Sequence, residues 1–251
     1  MTTQNEIKIK KLLKKIPACT VITAQQLNSM GVSHDLMKAY EKSGWLKRIA
    51  MGAYTRLDEN ADVNGALYAL QNYAKMDIHL GGLSALDKLY GLAHFLRDNE
   101  RVHLFATLQK RCPAWFKKVY GNSVDVCYTS FLPVSTGIDT LSFGNFYLKV
   151  PSLERALLEL LYSVPNEVTV SEAYAVIEMV QSIKVPLMQS LLESCASVKV
   201  KRLFLCMVEN AGLQWFSLLD VGRIDLGSGF REIGSDGILY SKYNLVIPRL
   251  E

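Results

Sequence analysis

An α/β (α+β) fold in two parts is what this sequence predicts: an N-terminal winged helix-turn-helix over residues 1–57, then a larger mixed α/β domain with a small sheet over residues 58–251. Three observations predict it. Amphipathic helical periods recur three times before Gly44 and give way to two short β-prone runs around Met51-Gly52. Positive charge is concentrated at the start: residues 1–56 hold ten Lys or Arg against three acids, a balance of +7, whereas the remaining 195 residues hold 18 bases and 21 acids. Beyond Arg56, helical and strand-like stretches alternate with no internal repeat, the pattern of a mixed domain.

The first helix is predicted over Glu6–Ile16, where Ile9, Leu12, Leu13 and Ile16 recur at three- and four-residue spacing and Pro17 follows. In TAQQLNSMG, Thr23 and Gln26 have capping-box spacing, Leu27 and Met30 are the apolar pair, and Gly31 suits a left-handed stop. Ser33 caps a third helix, SHDLMKAYEKSG, that ends near Gly44. WLKRIA and AYTRL then form a hairpin about Met51-Gly52. On a helical wheel, Leu36, Met37 and Tyr40 face the core, Asp35, Lys38 and Lys42 lie nearly opposite, and His34 sits at the edge. If the third helix enters a major groove, its N-terminal half carries the base-edge contacts and the hairpin flanks the same groove. The candidate DNA-binding set is Ser33, His34, Lys38, Lys42, Lys47, Arg48 and Arg56. Ordinary solubilising charge accounts for the same residues.

LDENADVN reads as a polar linker or cap, followed by a helix over Gly65–Lys75 and, after the paired glycines of HLGGLSALDKLYGL, another bearing Leu83, Leu86 and Leu89. Strand-like segments at Arg101–Thr107, Val124–Thr129 and Phe146–Val150, interrupted by Lys110–Lys118 and Pro133–Gly144, suggest the small sheet. Helices are expected at Ser152–Ser163, capped by Ser152, at Ser171–Ile183, capped by Ser171, and at Pro186–Ser197 and Lys201–Asn210, the last closed by Gly212. The tail, through Val221–Leu226 and Ile238–Ile247, alternates as a sheet or hairpin does.

Several function classes find no support. With 49% apolar and 21% charged residues, disorder is excluded. No apolar stretch approaches the ~20 residues that span a bilayer, and the N-terminus lacks an apolar signal core, so a cytoplasmic location is expected. Five scattered cysteines with no CxxC argue for reduced thiols, no metal and no cofactor. No GxSxG, HExxH, P-loop or dinucleotide fingerprint occurs, and His79-Leu80-Gly81-Gly82 reads as packing or turn. No catalytic residue is assigned, and Asp220, Asp225, Glu232 and Asp236 read as turn acids rather than a metal nuclease site. The cluster QKRCPAWFKK, with Lys110, Arg111, Lys117 and Lys118 around Trp115 and Phe116, fits either nucleic-acid contact or a loop whose aromatics plug the core.

The run LMKAYEKSGWLKRIAMGAYTR, then ALYALQ, HLGGLSALDKLYGLAHF and PAWF, resembles the AbiE-type antitoxin family of bacterial type IV toxin–antitoxin systems over essentially the whole chain. Its most specific pieces are Ser43-Gly44-Trp45-Leu46 with Gly52-Ala53-Tyr54, and Gly81-Gly82-Leu83 with Ala85-Leu86 and Gly91-Leu92. The resemblance implies a winged helix that binds inverted repeats in the operon's own promoter and represses it. It also implies a C-terminal domain that counters a nucleotidyltransferase-like toxin without a stable complex, in operons that act in phage defence by abortive infection. Relatives often place a basic residue before the wing glycine, where this chain has Met51, so Arg48 or Arg56 is expected to take that role. The alternative is an enzyme, a nuclease or nucleotide-processing protein, that the winged helix delivers to DNA.

Overall fold

The computed structural model describes residues 3–94, 101–234 and 237–250. The chain divides into two compact units, one comprising Met1–His79, Ala106–Asp125 and Thr140–Lys149, the other Leu80–Phe105, Val126–Asp139 and Val150–Glu251.

The first unit begins with α1 (Thr3–Leu13), β1 (Ile22–Thr23), α2 (Ala24–Ser29), α3 (His34–Lys42), β2 (Leu46–Ala50) and β3 (Ala53–Arg56). α1 starts and stops three residues before the expected Glu6–Ile16, yet turns at Lys15 and Ile16 carry Ile16 into the core. The predicted apolar stripe is buried: Ile9, Leu12, Leu13 and Ile16 pack with Leu27, Met37, Tyr40, Leu46 and Tyr54. The three strands form an antiparallel sheet in the order β1-β3-β2, with Ile22 opposite Tyr54 and Lys47 opposite Thr55. The unit continues with α4 (Val63–Asn72), N-capped by Asp62, and α6 (Ala114–Tyr120), which packs against β2. The Gln71 carboxamide donates to Ile78 O at 2.7 Å and Lys149 O at 3.0 Å and accepts from Lys149 N at 2.9 Å, tying α4 to residues far along the chain.

Strands β4 (Ile78–Leu80), β5 (Val102–Ala106) and β6 (Val124–Tyr128) form a second sheet in that order, and β7 (Ile138–Phe143) pairs with β8 (Phe146–Pro151) as a separate ribbon. The single small sheet expected from the sequence is thus two pieces. The two segments expected to interrupt it carry structure of their own: α6 begins within Lys110–Lys118 and runs on to Tyr120, and β7 lies within Pro133–Gly144.

The second unit is mainly helical: α5 (Gly82–Tyr90), α7 (Leu153–Ser163), α8 (Val170–Glu178), α9 (Val185–Ser194) and α10 (Val198–Asn210). α7 is its axis, packing against the other four, with Leu157, Leu158, Leu160 and Leu161 all inaccessible to solvent. Ser152 caps α7 as expected. α8, however, is capped by Thr169 rather than Ser171: Thr169 Oγ1 accepts from Glu172 N while Glu172 Oε2 accepts from Thr169 N, a complete capping box, and the helix ends at Glu178 rather than Ile183. The tail forms a sheet ordered β10-β11-β9 from Arg231–Glu232 (β9), Ile238–Tyr240 (β10) and Leu245–Ile247 (β11). The expected strand at Val221–Leu226 is instead a short 3-10 turn, Val221–Arg223, and irregular chain.

Candidate nucleic-acid interface

Local hydrogen bonds set the angle at which α3 is presented. Thr23 Oγ1 accepts from Gln26 N at 3.1 Å and Gln26 Oε1 accepts from Thr23 N at 3.4 Å, completing the capping box that starts α2. At Gly31 φ is +76°, a left-handed turn that costs a residue without Cβ little. Val32 N then returns to Leu27 O at 3.0 Å, and Ser33 Oγ accepts from Leu36 N at 3.3 Å to open α3. Met37 and Tyr40 are buried and the Tyr40 hydroxyl donates to Asn5 O at 3.2 Å, so this side of α3 is held inward. His34, Asp35, Lys38 and Lys42 are exposed on the other side, as the helical wheel indicates. Burial raises the Tyr40 pKa, which keeps that hydroxyl a neutral donor.

β2 and β3 form the wing. Lys47 and Arg48 are exposed neighbours on β2, where a bulge between Arg48 and Ala50 breaks the alternation of sides. Met51 at the tip is 84% exposed. Ser33, His34, Lys38, Lys42, Lys47 and Arg48 are therefore all surface groups of one small unit.

Arg56 is not such a group. Its Nη2 donates to Leu13 O at 2.8 Å and Ile16 O at 2.6 Å, and its Nη1 pairs with Glu59 Oε1 at 3.0 Å. The guanidinium closes the C-terminal end of α1, whose last carbonyls lack helical partners. Arg56 thus leaves the candidate DNA set.

Basic residues outside the expected set join the same unit. Lys8 and Lys11 on α1 and Lys15 in the turn after it line a cavity of about 230 Å³ with Leu12 and Met30, and Lys8 Nζ donates to Gly31 O at 2.7 Å beside the turn into α3. Their spacing was visible in the sequence, but their nearness to that turn was not. The QKRCPAWFKK cluster divides by residue. Trp115, Phe116 and Tyr120 are buried, with Trp115 edge-on to the other two rings, and Lys110 Nζ donates to the Ala74 and Lys75 carbonyls at 3.0 and 2.9 Å. Lys117 and Lys118 remain exposed on α6, the helix that packs on wing strand β2.

In the second unit, the Gly81-Gly82 pair serves packing. A Cβ on Gly81 would meet Phe105 at 2.4 Å and Glu159 Oε2 at 2.7 Å, and Gly82 N donates to that same oxygen at 3.3 Å. Glu159 is fully buried and accepts from Arg155 Nε at 2.8 Å, while Arg155 Nη1 reaches Pro133 O and Thr136 O. Asp225 accepts from Gly227 N at 2.8 Å as a turn acid and Glu232 is exposed on β9, whereas Asp236 lies outside the described residues. Among the described residues no group of three or more His, Cys, Asp or Glu could hold a metal ion, and no helix is long and apolar enough to cross a membrane.

Three helices closed by a β-hairpin wing, with exposed cations on the third helix and on the wing, define a winged helix-turn-helix, here part of a mixed α/β chain. Residues 5–98 match the family described as "Transcriptional regulator, AbiEi antitoxin N-terminal domain". Residues 99–248 match "Transcriptional regulator, AbiEi antitoxin, Type IV TA system". The chain belongs to the AbiEi family of antitoxins and transcriptional regulators of type IV toxin–antitoxin systems. Among solved structures it is similar to that titled "Crystal structure of RV2827C protein from Mycobacterium tuberculosis", with a TM-score of 0.63, 13% identity, and coverage of 99% of this chain and 93% of that chain, a likeness of fold. A search of curated proteins gives no match.

Proposed function

We propose that this antitoxin represses its own operon, reading inverted repeats in the promoter through the module of residues 1–57. Ser33, His34, Lys38 and Lys42 on α3 occupy the major groove, and Lys47 and Arg48 on the wing hold the flanking backbone. The observation that carries this reading is the two-sidedness of α3, which buries Met37 and Tyr40 and leaves Lys38 and Lys42 in solvent beside a wing that exposes Lys47 and Arg48. Lys8 and Lys11 on α1 and Lys15 just beyond it, with Lys117 and Lys118 on α6, widen the positive surface available to phosphates. Residues 58–251 supply antitoxicity in the cytoplasm, countering a nucleotidyltransferase-like toxin by recognition rather than catalysis and without a stable complex.

The test reads both activities of the full chain. Charge reversal at Lys38 and Arg48 abolishes repression of a promoter reporter, yet the variant still protects cells when expressed from an unrelated promoter with the toxin. A stably folded variant that loses protection together with repression shows that antitoxicity needs DNA binding, and overturns the two-module reading.

A further inference from the structure

A second concentration of positive charge lies in the other unit, at the start of α10. Lys199, Lys201 and Arg202 fall within its first five residues and its first turn holds no acid, so the positive end of the helix dipole is reinforced rather than balanced. Arg202 is 1% exposed, and its guanidinium donates to Leu226 O, Gly229 O and Asn244 O, fastening the chain that leads into β9. Arg231 on β9 follows directly. Its side chain is exposed, and among the described residues it makes no hydrogen bond or ion pair.

Between these elements is a cavity of about 400 Å³, lined by Thr129, Ser130, Tyr162, Ser197, Lys199 and Arg231 among others. Its lining combines two cations with three aliphatic hydroxyls and contains no carboxylate. Lys199 is positioned firmly: Nζ donates to Tyr162 O at 2.6 Å and Val164 O at 2.5 Å and lies 5.3 Å from the Tyr162 ring centre. An ammonium has three N–H bonds, so one remains for a ligand. The backbone N–H groups of Val198 and Lys199 open α10 on the cavity wall, and neither has a hydrogen-bond partner among the described residues. Burial and then repulsion from Arg231 hold the Lys199 pKa below its ordinary value, as expected of two cations facing a common space without an anion.

From this convergence of cations, hydroxyls and free helix N–H groups on one carboxylate-free cavity, we infer that the second unit binds a phosphate monoester. Lys199 and the α10 amides hold the phosphate, and Arg231 closes over it. The volume exceeds that of a bare phosphate ion and lies in the range of small-metabolite pockets, which leaves room for an esterified group of nucleotide size.

Binding is measured on the full chain by calorimetric titration at constant ionic strength, with inorganic phosphate and a nucleoside 5′-monophosphate as separate probes. The expected result is saturable binding of at least one probe below about 10 mM and a loss of about tenfold or more in Arg231→Gln, partly restored by Arg231→Lys. Arg231 has no side-chain partner to lose, so this variant keeps its fold, checked by an unchanged melting temperature. Equal affinities for the two probes identify phosphate itself as the ligand, and a tighter monophosphate identifies the ester; both support the site. No saturable binding of either probe, or affinity unchanged in Arg231→Gln, overturns it. So does loss of binding in the Lys38→Ala/Arg48→Ala variant, which would place the phosphate on the winged helix instead.

Discussion

Replacing Arg56 by alanine is expected to damage stability and leave DNA recognition intact. Its guanidinium makes two main-chain hydrogen bonds at the end of α1, to Leu13 O and Ile16 O, and an ion pair with Glu59. Hydrogen bonds from a charged donor are worth about 1.5–3 kcal/mol each when buried, and a partly exposed ion pair about 0–1 kcal/mol. The Arg56 side chain is 27% exposed and the freed carbonyls lie at a helix end, where water reaches them. The expected net loss is therefore about 2–3 kcal/mol, or a fall of about 5–10 °C in the first thermal transition for a chain of this size. Scanning calorimetry measures the transition, and an operator gel shift well below it measures affinity, expected to stay within about twofold of the parent. An unchanged transition together with weakened operator binding would restore Arg56 to the DNA face and refute the structural role argued for it.

Lys38→Ala is expected to lose discrimination between operator and random DNA by about 1–3 kcal/mol, whereas Lys47→Ala weakens both alike and lowers the salt slope by about one; equal effects of the two changes in a gel-shift series would mean that α3 is oriented wrongly. Leu86→Ala, at a fully buried position of α5, is expected to cost about 2–5 kcal/mol by urea denaturation and to impair protection in a toxin co-expression assay. Burial pushes the Cys206 thiol from its ordinary 9.0 up to about 12, so the unfolded chain ionises it first and binds fewer protons above pH 9. Its contribution to stability is complete below pH 9 and declines as pH rises toward 12, so the alkaline fall in the urea midpoint is smaller in Cys206→Ala than in the parent; equal falls would show that this thiol is not the group responsible.

The winged helix was legible because its determinants are local. The Thr23–Gln26 box, the Ser33 cap and the stripe of Ile9, Leu12 and Leu13 each act within one or two turns of chain. What escaped depends on distance along the sequence. Arg56 finds its carbonyls 43 and 40 residues upstream, beyond the reach of any periodicity. β7 carries little apolar alternation because most of IDTLSF faces solvent. α6 is held through Trp115, Phe116 and Tyr120, which read equally well as a loop that plugs the core. The Ser171 cap is a different kind of error: Thr169 and Glu172 already had box spacing, and the nearer serine was the weaker signal. For the candidate interface, exposure of Lys38, Lys42, Lys47 and Arg48 followed from the wheel and the hairpin, while the placing of Lys117 and Lys118 on a helix that packs on the wing required the three-dimensional fold.

The interleaving of the first unit has a consequence for synthesis. Its final segment ends at Lys149, the residue whose backbone satisfies both ends of the Gln71 carboxamide 78 positions earlier. A ribosome moving along the message exposes α1, α2, α3 and the wing long before that partner exists, and until then the Gln71 carboxamide has Ile78 O to accept its N–H but only water for its oxygen. Closing so long a loop is also entropically late. Chains cut short upstream of Phe146 are thus expected to reach the cell without β8 and the Gln71–Lys149 bonds, with that part of the first unit open to proteases. Completion of the first unit is thus reserved for molecules whose translation has already run through residue 149.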